Sequence, residues 1–194
     1  FWSPCCRKMS LPDPPPEFYS NGRGLAGEHQ LQYIAGYYGD KAEELLHAVW
    51  AYGGEQIKKG VPCKPGLKEL LSTLEDLGMP RIVASSSPRN MIEMNLQTSG
   101  TARYFHDVVS GTEVARSKPA PDTFLLAAEK LHTDPKDCLV LEDSFNGVRA
   151  GRAAGCVTVM VPDLSPATDE MRRIYTCECA SLHEVRRKLE CGEL

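Results

Sequence analysis

A chain of 194 residues has the size of one domain, or of one domain with a small appendage, and two full domains would be crowded. Its 42% hydrophobic residues, 25% charged residues and net charge of −4 are those of an ordinary soluble globular protein and give no sign of nucleic-acid binding. No run approaches the roughly 18 apolar residues of a membrane span, and no signal-peptide core opens the chain, so a cytoplasmic location is expected.

Residues 1–20 carry Phe-Trp-Ser-Pro-Cys-Cys and then Pro12-Asp-Pro-Pro-Pro16, without helical or strand periodicity, and are expected to form an irregular arm. From about Gly27 to Lys59 the pattern turns helical. Leu31, Ile34 and Tyr38 share one stripe, and Leu45, Leu46, Val49 and Trp50 form another. After Pro62 and Pro65, helices over 66–77, 88–98, 121–131 and 144–155 alternate with short β-rich runs at 81–84, 107–110, 138–142 and 157–161. Alternation of this kind predicts an α/β fold, with a Rossmann-like parallel sheet and helices on both faces.

Eight cysteines match neither a zinc framework nor a disulfide scaffold in their spacing and are expected to be reduced. Cys138 and Cys156 read as small core hydrophobes, and Cys177-Glu178-Cys179 alternates like a strand edge.

Sites in a parallel α/β sheet gather at the carboxyl ends of its strands. Three such ends are polar here. Ser85-Ser86-Ser87 follows the first strand, Ser87 can cap the next helix and Pro88 suits its first position, so hydroxyls and backbone N–H groups would face one anion-sized space. Lys118 lies between Ser117 and Pro119-Ala-Pro121-Asp122, where the prolines stiffen its approach. The run Leu139-Val-Leu-Glu142-Asp143 ends in adjacent carboxylates able to converge on one hard cation, and Ser144 fits as the N-cap of the next helix. Its small residues Gly147, Ala150 and Gly151 would let that helix pack closely on the sheet. Each feature alone has a plain structural reading as a cap, a solvated lysine or an acidic turn.

Taken in order, the serine loop, Lys118-Pro-Ala-Pro-Asp122 and Glu142-Asp-Ser-Phe-Asn-Gly-Val148 resemble three of the four motifs of the haloacid dehalogenase (HAD) superfamily, closest to its β-phosphoglucomutase and sugar phosphatase branch. The resemblance runs from about residue 60 to residue 163. It implies an HAD-like core over 61–194, a partial helical cap over 21–60, and Mg2+ as cofactor. By the same resemblance Ser85 would bind the transferring phosphoryl group, with Ser86, Ser87 and Arg89 as substrate contacts. Lys118 would neutralise the developing charge, Asp143 would hold the metal, and Glu142 would reach it directly or through water. The implied activity is hydrolysis of a small phosphorylated sugar or related metabolite through an aspartyl-phosphate. The chain is expected to act as a monomer, without nucleic acid or membrane.

The family's first motif, a strand ending in Asp-x-Asp, has no counterpart, because the sequence contains no Asp-x-Asp. A truncated or disturbed start is one reading and a noncatalytic phosphate-binding relative is another; in either case this chain is expected to be inactive alone. That strand would lie between those leading to Ser85 and Glu142, so a gap and a weakened core are expected there. Mutases of the branch also carry a cap arginine. Its best placement falls on Gly27, with Arg23 and Glu28 nearby, which favours a phosphatase over a mutase.

Overall fold

The computed structural model describes residues 1–194. Four helices lead the chain: α1 (Trp2–Lys8), α2 (Pro16–Gly22), α3 (Gly27–Tyr38) and α4 (Ala42–Lys58). The stripes of α3 and α4 meet, burying Ile34, Tyr38, Leu45 and Val49 in one cluster. Gly39, at φ +56, ends α3 in a conformation open to glycine and separates the two helices.

Residues 1–20 are not an irregular arm. Helices α1 and α2 bury Cys5, Cys6 and Phe18 against the α3–α4 cluster. Each has only seven residues, too few for a clear period, and their prolines sit where helices tolerate them. Pro16 opens α2 and Pro4 lies in the first turn of α1, positions whose N–H groups lack an intrahelical partner in any case. Tertiary burial therefore decides what local signal did not.

The remainder alternates: α5 (Leu67–Asp76), β1 (Ile82–Ser85), α6 (Arg89–Ser99), β2 (Asp107–Ser110), α7 (Asp122–Lys130), β3 (Leu139–Glu142), α8 (Phe145–Ala153), β4 (Val157–Met160), α9 (Asp169–Ile174), β5 (Cys177–Glu178) and α10 (Leu182–Glu190). All strand pairings are parallel. They form two separate groups: β1 with β2, in register Ile82 to Asp107, and β3-β4-β5, in register Leu139 to Val157. The expected gap is therefore present between β1 and β3. No helix is long and apolar enough to cross a membrane.

Backbone alternation shows what the gap contains. The carbonyls of Arg81 and Ser85 bond to β2's strand, and those of Cys138 and Glu142 bond to β4's. In a parallel strand the next residue points the opposite way, so Ile82, Ala84, Leu139 and Leu141 direct their N–H and C=O groups away from their sheet partners. Between β1 and β3 lies a cleft of ≈ 540 Å³. Twenty of its 24 lining residues are hydrophobic, so water is a poor occupant for it. Helices α5 and α10 pack on β4 and β5 through Leu70, Val159, Leu182 and Val185. Ala150 of α8 and Ala154 just past its end join Phe124 and Val140 in another cluster.

Candidate active site

The β3–α8 turn is built around Glu142. Ser144 caps α8, accepting from Gly147 N at 3.0 Å, while its hydroxyl donates to Glu142 Oε2 at 2.9 Å. The same Oε2 accepts from the N–H groups of Asp143 and Ser144. A carboxylate is favoured there, at a positive helix N-terminus. Gly147 makes room for it, since a Cβ at that position would overlap the Glu142 carboxylate. The glycine in Ser-Phe-Asn-Gly is thus required by the Glu142 carboxylate, and it is Gly151 that lets α8 pack closely on the sheet, against Thr158 and Val140.

Lys118 closes the other side. Its ammonium forms an ion pair with Glu142 Oε1 and donates to the Ala84 carbonyl at 3.1 Å. Its side chain is 4% exposed and that of Glu142 9%, so the pair is shielded from water. The ammonium also lies 4.4 Å from the centre of the Phe124 ring, a cation–π contact in a desolvated place. One side chain therefore links the ends of the two half-sheets.

Around β1, Ser85 Oγ accepts from Ser87 N at 3.2 Å, and Ser86 donates to the Gly24 carbonyl. Pro88 rather than Ser87 occupies the N-cap of α6, and no side chain caps that helix. The Ser87 hydroxyl is thereby left for another partner. Arg89 is drawn elsewhere: Glu113, Glu93, Asp107 and the Val108 carbonyl surround its guanidinium. Arg89 holds the Glu113 carboxyl below its usual range, and Lys130 does the same for Asp107. The structure brings Ser85, Lys118, Glu142 and Asp143 to the carboxyl ends of the two half-sheets, and engages Arg89 in a separate ionic network.

Asp143 is half-exposed and faces Lys64 at 3.6 Å; Lys64 also lies 3.4 Å from Asp163. Sequence reasoning overlooked Lys64 and Asp163. Asp163 follows the carboxyl end of β4, so the same strand-end rule that found Asp143 applies to it. No group of three or more His, Cys, Asp or Glu side chains converges anywhere. The donor chemistry nevertheless fits a hard divalent ion: two carboxylates share one cation, which here is the Lys64 ammonium, and Mg2+ characteristically keeps waters and phosphate oxygens in its remaining positions. Both Glu142 oxygens are engaged, one by Lys118 and the other by the α8 N-terminus, so Glu142 is spent within the protein.

The turn between α2 and α3 lies over this centre. Ser117 donates to the Ala26 carbonyl at 3.1 Å, and Asn146 donates to the carbonyls of Asn21 and Arg23. Gly24, at φ +91, packs against Ser144, and a Cβ there would crowd the Ser144 hydroxyl. A serine loop, a buried ammonium and carboxylates at neighbouring strand ends, with the α2–α3 turn fastened over them, are what the structure brings together here.

A family model for haloacid dehalogenase-like hydrolases matches residues 15–155. The chain belongs to that family. Among HAD-like relatives, the bifunctional riboflavin kinase/FMN phosphatase of Arabidopsis thaliana is 44% identical over 129 residues, covering 66% of this chain and 34% of that protein. Hexitol phosphatase B of Escherichia coli K12 is 30% identical over 150 residues, 77% of this chain and 68% of that one. This chain therefore spans about a third of the plant relative and about two thirds of the bacterial one. The crystal structure of β-phosphoglucomutase from Clostridium difficile has the same fold, with a TM-score of 0.82 at 19% identity over 99% of this chain and 86% of that chain. The HAD-like fold is thus present although β1 and β3 stand apart.

Proposed function

We infer that this chain carries the phosphate-binding and charge-neutralising part of a Mg2+-dependent phosphomonoester hydrolase acting on a small phosphorylated metabolite. The observation that carries this reading is the buried Lys118 ammonium, held between the Ala84 carbonyl and Glu142 where the serine loop and Asp143 also lie. Phosphoryl transfer needs positioning and stabilisation of charge on the equatorial oxygens. Ser85 and its neighbouring N–H groups orient the phosphoryl oxygens, and Lys118 neutralises the charge that develops on them. Asp143, with Asp163, would hold Mg2+, which supplies further neutralisation of that charge. Glu142 fixes the Lys118 ammonium and would support the metal from behind its ligands. Helices α1–α4 act as the cap, extending the expected 21–60 segment at its N-terminal side. The FMN phosphatase and hexitol phosphatase names of relatives support hydrolysis over mutase chemistry.

With no Asp-x-Asp in the sequence, the chain binds phosphate esters without turning them over. Loss of a covalent nucleophile costs on the order of 10⁶ in rate. The test extends the N-terminus with an apolar strand ending in Asp-x-Asp. Mg2+-dependent hydrolysis of a phosphomonoester is expected to appear, and to vanish again with Lys118→Ala or Asp143→Ala. An extended chain that is well folded and still inert would reject the reading.

A further inference from the structure

A second cavity, of ≈ 210 Å³, lies between the helical layer and the serine loop. Its lining is unusual. Both tryptophans of the chain, Trp2 and Trp50, face it together with Tyr19, while Arg23, Ser86 and Ser87 form part of its polar wall. No aspartate, glutamate, asparagine or histidine lines it.

The hydrogen-bonding capacity of the wall is mostly spent. Tyr19 OH pairs with Ser3, Tyr33 OH donates to the Phe18 carbonyl, and the Ser86 hydroxyl donates to Gly24. Gln30 and Ser87 retain free side-chain groups, and Arg23 has no carboxylate partner, its one contact being Ser165 at 3.5 Å. With Arg23 and Ser87 turned to the phosphate, a polyhydroxylated sugar would bury several hydroxyls with only Gln30 to answer them, and each unpaired group is penalised. A flat ring would instead meet indole and phenol surfaces, and would need no more than Gln30 to answer a polar atom on its edge. The volume is below the about 300–1,000 Å³ of drug-sized pockets, which limits the occupant to a single ring system.

We propose that this cavity is the specificity pocket for the alcohol part of the substrate, and that this part carries an aromatic ring in place of an open or cyclic polyol. Trp2 and Trp50 provide the ring contacts. Arg23 and Ser87 mark the end toward the phosphate. The inference rests on the phosphomonoesterase reading and names the substrate class for it.

Because both tryptophans line the cavity, intrinsic fluorescence reports its occupancy directly. The 194-residue chain is titrated with phenyl phosphate, ribose 5-phosphate and inorganic phosphate, the first carrying one aromatic ring and no polyol and the second a polyol and no aromatic ring. The ring-bearing ester is expected to change the emission and to bind about tenfold more tightly than ribose 5-phosphate, the scale of one aromatic pair. Arg23→Ala should weaken both esters by a similar factor, and Trp50→Leu should weaken the ring-bearing one alone. Equal affinity for the two esters would overturn the aromatic assignment and leave the phosphatase reading standing. Failure of all three probes to bind would overturn both.

Discussion

The Lys118 ammonium donates to the Ala84 carbonyl at 3.1 Å, so a side chain caps a backbone acceptor at the edge of β1. The same ammonium pairs with Glu142 at the end of β3. In a sheet that ran unbroken through this region, Ala84 would give its carbonyl to a neighbouring strand. Lys118 therefore cross-links the half-sheets, and in the proposed function the same ammonium is the charge offered to phosphate.

Replacing Lys118 by Met leaves Glu142 buried without its counter-charge. Breaking a buried pair of this kind is expected to lower stability by about 3–5 kcal/mol, and a Lys118→Met/Glu142→Leu double variant should recover part of it. Denaturant midpoints of the three proteins check this. A single variant as stable as the parent would remove the pair from the account.

Gly147→Ala should be harmful although it adds only one methyl group. The added methyl group overlaps the Glu142 carboxylate, so either α8 shifts or Glu142 leaves its position under the helix N-terminus. A loss of about 1–3 kcal/mol is expected from overpacking, together with loss of inorganic phosphate binding in a calorimetric titration. Ser144→Ala, which removes a cap, should cost only about 1 kcal/mol.

The ionic network at Arg89 sets part of the acid sensitivity. Glu113 and Asp107 have carboxyl groups held below their usual ranges by Arg89 and Lys130. A depressed folded value means that the stabilisation is complete above the unfolded values, about 4.3 for Glu and 3.9 for Asp, and is lost as pH falls through the folded ones. Stability measured from pH 6 down to about pH 2 should therefore decline less steeply in Glu113→Gln than in the parent. The difference should be about 1 kcal/mol or less, because these groups are partly exposed and screened.

Cysteine reactivity should follow burial. All eight thiols are free; Cys5, Cys6, Cys156 and Cys179 are buried and Cys191 is exposed. Burial pushes the Cys156 thiol up to about 11 and that of Cys179 to about 12, which keeps both protonated and inert at neutral pH. Mass spectrometry after brief alkylation should find Cys191 modified first and the four buried thiols untouched until denaturant is added. Early labelling of Cys156 or Cys179 would show that the native packing opens readily.

The split sheet predicts a broad unfolding transition and binding of an apolar dye, because the cleft between β1 and β3 is lined by hydrophobic residues with no strand to cover them. A sharp two-state transition without dye binding would show that the cleft closes in solution.

Much of this site was legible in the sequence because it depends on local order. A strand followed at once by Glu142-Asp143-Ser144 and Gly147 specifies its own cap and carboxylate position within six residues. Leu139–Glu142 and Asp107–Ser110 likewise stand out as apolar runs between turns. What escaped notice depends on distant partners. Helix α1 exists because Cys5 and Cys6 find Tyr38 and Leu45, and Arg89 is withdrawn from the serine loop by Glu113, 24 positions away. Asp163 lacked an adjacent acid to draw attention to it, and its relation to Asp143 arises only through Lys64.

The turn around Gly24 has a consequence for timing. It is fastened to Ser86 beside β1, to Ser117 before Lys118 and to Asn146 beyond β3, so one segment of the helical layer grips both half-sheets at once. Lifting that layer to admit a ligand would undo hydrogen bonds that also help keep β1 and β3 in fixed relation. Entry and disassembly thus share their first step. A ligand seated beneath the turn would slow both, acting on the lifetime of the fold as much as on occupancy of the site.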